Sequence, residues 1–165
     1  MNNDQQEKKY EPQVGDYYVF EVVTKGELSN FSGEIKYTIS EVDDKTYQIT
    51  ENPNNLEDMG WTKKETKTYN KEKPGVGINI SHLRESEKEK IDTEIGVYKA
   101  IKYEEKISPR KKHAHGTKTI NYFVTDDENK FPVKMILKSS PFGGEPVETH
   151  TLKETNIDIL KELAN

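Results

Sequence analysis

The densest cluster of chemically capable side chains is Arg110-Lys111-Lys112-His113-Ala114-His115-Gly116-Thr117-Lys118. Arg110, Lys111, Lys112 and Lys118 offer positive charge for a phosphate or an anionic lipid head group, since a Lys or Arg near an anionic membrane contributes about 1 kcal/mol. The blander account is a solvated hairpin tip. His113 and His115 place two imidazoles on one side of an extended chain, whereas zinc sites typically need about three or four protein ligands, so His82 or His150 would have to join them. No metal or other cofactor is expected. The carboxylate clusters Asp43/Asp44, Glu57/Asp58 and Asp126/Asp127/Glu128 lack calcium-loop spacing and read as turn chemistry. Gly75-Val76-Gly77 lacks the third glycine and the strand-to-helix context of a dinucleotide site and reads as a turn. No nucleophile elbow or His-Glu-x-x-His helix is present, so the expectation is a protein that is not an enzyme.

Whatever such residues do depends on the elements that hold them. The chain has 165 residues, enough for one domain with a core of its own. Charged residues (33%) outnumber apolar ones (31%), a balance that leans toward disorder unless the apolar residues are patterned. They are patterned: they alternate with polar residues in short runs rich in Tyr, Val, Ile and Thr. Nine tyrosines supply much of the expected core, each with a hydroxyl that needs a rim or a partner. A net charge of −5 argues against general nucleic-acid binding. Without cysteine there is no disulfide and no thiol chemistry. No apolar run is long enough for a membrane helix, so the chain as given is expected to be soluble, with membrane association only through an anchor outside it. Residues 1–13 read as a polar, flexible lead-in from which a signal or anchor has been removed, and 14–165 as a single β-rich domain.

Period-two alternation predicts strands over 16–23, 34–42, 46–50, 61–69, 95–107, 117–125, 132–139 and 147–155. Asp43-Asp44-Lys45 marks the clearest hairpin, and 61–69 is polar enough for a sheet edge. Residues 81–90 are either a helical turn capped by Ser81 or a charged excursion. Asn156 is placed to cap a short helix with an Ile159, Leu160, Leu163 stripe. The fold class expected is therefore mainly β with minor helix: a curved antiparallel meander of seven to eight strands, half-barrel or sandwich-like, with a short C-terminal helix. Its buried face is to be covered by a second sheet, by a curled half of the same sheet, or by the helical pieces.

Gly15-Asp16-Tyr17-Tyr18, Ile91 to Tyr103, Tyr122-Phe123-Val124, Phe131-Pro132-Val133-Lys134-Met135 and Thr151 to Ile157 together resemble the strand progression of prokaryotic cell-surface or lipoprotein domains of the LolA/LolB lipoprotein-carrier type. The resemblance spans mainly residues 91–157. It implies an antiparallel sheet curved over helices, an extracytoplasmic or membrane-anchored location, and in some members acyl chains on the concave face. On that basis Tyr37, Tyr47, Tyr98, Tyr103 and Tyr122 are expected to face a lipid or amphipathic small molecule. The alternative is a structural or protein-interaction domain of the cell surface, with a protein partner and no small ligand.

Overall fold

The computed structural model describes residues 9–25, 30–56, 63–107, 118–139 and 147–165. It is mainly β: nine strands and one short C-terminal helix. The strands are β1 (Tyr17–Lys25), β2 (Asn30–Val42), β3 (Thr46–Asn54), β4 (Glu65–Asn70), β5 (Arg84–Asp92), β6 (Val97–Ile107), β7 (Lys118–Thr125), β8 (Pro132–Ser139) and β9 (Val147–Thr155), followed by α1 (Asp158–Glu162). All belong to one open sheet in the order β4-β3-β2-β1-β9-β8-β7-β6-β5, antiparallel throughout. Two meanders fan out from a central seam where the first strand pairs with the last.

The strand beyond the expected seven to eight is β5. Residues 84–92 are neither a helical turn nor an excursion but an edge strand, exposed along its whole length except at Ile91. Glu85 to Lys90 alternates nothing apolar, so period-two reading is blind to it, and its backbone pairing with β6 alone makes it a strand. The polar segment expected at an edge is β4, which does lie at the opposite edge.

Alternation on the central strands sorts the core. Tyr18, Phe20 and Val22 of β1 share a face with Ile35, Tyr37 and Ile39 of β2 and with Tyr47 and Ile49 of β3. The sheet bends around that face. Tyr69 on β4 and Tyr122 on β7 are six strand spacings apart, about 29 Å in a flat sheet. They nevertheless line one cavity. Register shifts at Val19/Phe20, Ile39/Glu41 and Phe123/Val124 supply bends, since a bulge locally kinks and twists its strand.

Residues 71–83 carry the chain from the β4 edge to the β5 edge across the concave side. Val76, Ile78 and Ile80 are buried there, the latter two against Ile101, Tyr103 and Val124. Tyrosine hydroxyls hold this crossing by its backbone. Tyr47 donates to the Gly75 carbonyl (3.3 Å) and accepts the Gly77 N–H (3.0 Å), and Tyr18 reaches the Val76 carbonyl (3.5 Å). The cover is thus the curled sheet plus this segment.

Asn156 does not cap α1, whose N-cap, Ile157, has no side-chain cap bond. Its amide instead accepts the Tyr17 N–H (2.7 Å) and donates to the Gly15 carbonyl (3.1 Å), stitching the end of β9 to the start of β1. The expected apolar stripe is present: Leu160 is fully buried, and Ile159 and Leu163 pack on the core. Packing also reaches back before residue 14. Tyr10 is buried, its ring 5.1 Å from that of Phe131 and its N–H on the Asn129 side chain (2.8 Å).

Gly77 is the tightest point of the crossing, with φ +68° and a Cβ position that would overlap the Tyr18 hydroxyl and Ile49 Cδ1. Strain at positive φ plus overpacking predicts that Gly77→Ala lowers stability by about 2–4 kcal/mol. A urea titration followed by circular dichroism checks this.

Candidate functional site

A half-open cavity of about 480 Å³ lies on the concave side, within the roughly 300–1,000 Å³ typical of small-molecule sites. Each wall follows from strand phase. Tyr18 and Phe20 of β1, and Tyr37 directly across from Tyr18, form the floor. Ile120 and Tyr122 of β7 and Met135 and Leu137 of β8 form one side, matched through Tyr122↔Met135 and Ile120↔Leu137. Glu51 of β3 and Lys67 and Tyr69 of β4 form the other, and Gly77, Ile78, Asn79 and His82 of the crossing close the remaining flank. The rings are ordered among themselves: Tyr18 stacks on Tyr37 (4.9 Å, 17°), and Tyr69 stacks on Tyr47 (5.7 Å, 24°).

Polar groups sit at separate points of this wall. Lys67 Nζ lies 3.3 Å from Glu51. Glu105 accepts the Tyr122 hydroxyl (2.9 Å) and lies 2.9 Å from His82 Nε2. His150, fully buried, is 2.6 Å from Glu148. All nine tyrosines have phenols pushed above their ordinary value. Burial is the leading cause for Tyr18, Tyr37 and Tyr69, reinforced by the Glu51 charge, and for Tyr122, reinforced by the hydrogen bond to Glu105. An apolar, aromatic wall with a few fixed polar points can seat a ligand that is apolar over most of its surface and polar at an end.

Of the tyrosines expected to face a ligand, Tyr37 and Tyr122 line the cavity. Tyr103 is next to Tyr122 in register, but it is packed under Ile78 and Ile80. Tyr47 does not line it: its ring stacks on Tyr69 and its hydroxyl is engaged by the crossing. Tyr98 is on the opposite face, because it is an odd number of residues from Tyr103 on one unbroken strand. It donates to the Leu160 carbonyl (2.7 Å), which, with burial, fits it for holding α1 instead; burial pushes its phenol up to about 12. Lys118 is the exposed first residue of β7. Arg110, Lys111, Lys112, His113 and His115 lie outside the described residues, so the head-group and metal readings of that cluster do too. The two histidines considered as their co-ligands, His82 and His150, both line the cavity and each sits on a glutamate. Among the described residues no group of three or more His, Asp or Glu is arranged for a metal.

Sequence reading missed Glu51, Lys67 and Glu105. A signal for them existed. Each is in the inward phase of its strand, Glu51 with Tyr47 and Ile49, Lys67 with Tyr69, and Glu105 with Ile101 and Tyr103, and a charge at an inward position is an exception to binary patterning that calls for a reason. The partners contributed by the crossing had no such signal.

No family model matches this chain, and no curated protein or solved structure matches it either. The class it defines by its own geometry is an open, curved antiparallel sheet with an aromatic-walled cavity on its concave side.

The raised phenols dictate the response to alkali. A folded-state value above the unfolded one gives stability that is complete below about pH 10 and falls as pH climbs past it, because the unfolded chain releases those protons more readily. Absorbance at 295 nm is therefore expected to show most tyrosines ionising together with cooperative loss of the β signal above pH 10, not as independent groups near pH 10.

Proposed function

We propose that this protein is a non-enzymatic binding domain that holds an apolar or amphipathic small molecule on the concave face of its sheet. The observation that carries this reading is the half-open cavity walled by Phe20, Ile120, Met135 and Leu137 with the rings of Tyr18, Tyr37, Tyr69 and Tyr122. Among them Tyr69, Ile120, Tyr122, Met135 and Leu137 are only partly buried, which leaves contacts toward the cavity unfilled that a ligand would complete. The LolA/LolB-like resemblance points the same way and would place the domain outside the cytoplasm. In place of the helices that such carriers use, the crossing segment would serve as the cover here.

The alternative, an interaction domain working by strand addition at its edges, draws less support. Edge β4 is six residues long, and edge β5 alternates Glu and Lys and has a register shift between Glu85 and Lys88. Short, charged and irregular edges are the devices that discourage pairing with another strand.

Titration with the neutral fluorophore N-phenyl-1-naphthylamine tests the reading, together with native mass spectrometry of freshly purified protein and organic extraction of any adduct. Saturable binding at one site is expected, with affinity reduced about tenfold or more by filling the cavity in Met135→Trp or Ile120→Trp, since each replaces ligand contacts with protein. Absence of saturable binding to the wild-type protein, or affinity unchanged in both folded variants, overturns it.

A further inference from the structure

We propose that the polar end of the ligand is an organic cation, an ammonium group that replaces the Lys67 ammonium on Glu51 beside the rings of Tyr37 and Tyr69. This rests on the reading of the cavity as a binding site and names the ligand class. The charges around the cavity differ in how firmly they are held. The carboxylates are inside: the Glu51 side chain is 12% exposed and that of Glu105 is 24% exposed. Their partners are more exposed, Lys67 and His82 each having 52% of the side chain exposed. Lys67 reaches Glu51 from an edge strand on a long flexible stem, so returning its head to water costs little. Glu51 is the less exposed partner, and a largely buried carboxylate favours a cation or donors wherever Lys67 goes. The protein thus already recognises one alkylammonium at this place, its own.

The surroundings fit a second. Glu51 is directly across from Tyr37 in the β2–β3 register, and its charge reaches the phenols of Tyr18, Tyr37 and Tyr69. Tyr37 is 7% exposed, lines the cavity, and its hydroxyl has no hydrogen-bond partner among the described residues. That oxygen can accept from an ammonium N–H, while aromatic faces attract a cation most strongly where water is excluded. The apolar remainder of the ligand would lie along Met135, Leu137 and Ile120 on the opposite wall. An anionic head in the same place would confront Glu51 and Glu105, and Lys67, the lysine among the described residues that lines the cavity, is itself 52% exposed.

Calorimetry with three ten-carbon probes, decylammonium, decanol and decanoate, each below its micelle concentration, tests this on the full chain. Decylammonium is expected to bind about tenfold tighter than decanol, with decanoate weakest. In Glu51→Gln the ratio of cation to alcohol affinity should fall to near one. In Lys67→Met, with folding checked by circular dichroism, the ratio should rise, because the competing ammonium is gone. A wild-type ratio near one, tightest binding of decanoate, or a lower ratio in Lys67→Met overturns the inference and leaves the cavity reading standing. Failure of all three probes to bind overturns both.

Discussion

The structure depends on the pairing of its first strand with its last. β1 and β9 lie at the middle of the sheet and join two meanders that would otherwise be separate edges. Each meander alone exposes an apolar face, and hydrophobic burial is complete only when the two halves bend toward each other over it. The seam is reinforced beyond its ladder. The Thr155 hydroxyl donates to the Tyr17 carbonyl (2.7 Å), and Asn156 accepts from the Tyr17 N–H and donates to the Gly15 carbonyl. Closing a loop that spans nearly the whole chain carries an entropic cost, and these bonds together with the buried Phe20–Leu152 pair across the seam offset it.

Bending the sheet also decides what its tyrosines do. A tyrosine buries a ring but must satisfy a hydroxyl, and the concave side offers two solutions. Where the crossing segment passes, the hydroxyls of Tyr18 and Tyr47 bond its backbone, so that a stretch without regular structure is held over the core with its polar groups paired. Where it does not pass, the rings of Tyr37, Tyr69 and Tyr122 border open space. One residue type thus serves both as the clamp for the cover and as the wall of the cavity, and the boundary between the roles is the path of residues 75–82.

The polar points of the cavity belong to different halves of the sheet. Glu51 and Lys67 come from the β1–β4 meander, Glu105 and Tyr122 from the β5–β9 meander, and His82 from the crossing between them. They face one cavity only because the seam and the bend bring the halves together. The site is therefore a property of the assembled sheet, and anything that loosens the seam or the crossing alters the site before it touches a lining residue.

Local sequence pattern by itself determined the β class, eight of the nine strands, the turn at Asp43-Asp44-Lys45 and the apolar stripe of the C-terminal helix, because these are local consequences of turn chemistry and of which side chains share a face. Asp43 shows how local: its carboxylate accepts the N–H groups of Lys45 and Thr46 and is held below its ordinary value by them. Alternation also contained the parity that separates Tyr98 from Tyr103 and the inward phase of Glu51, Lys67 and Glu105. Tertiary structure alone decided the rest. Strand β5 has no apolar face and exists through its neighbour; Asn156 bonds a strand far away in sequence instead of its own helix; Tyr10 and the 71–83 crossing find their burial on residues distant in sequence. The cavity is of this second kind, since a local pattern specifies which face is inward but the distance between two inward faces is set only when the first strand meets the last.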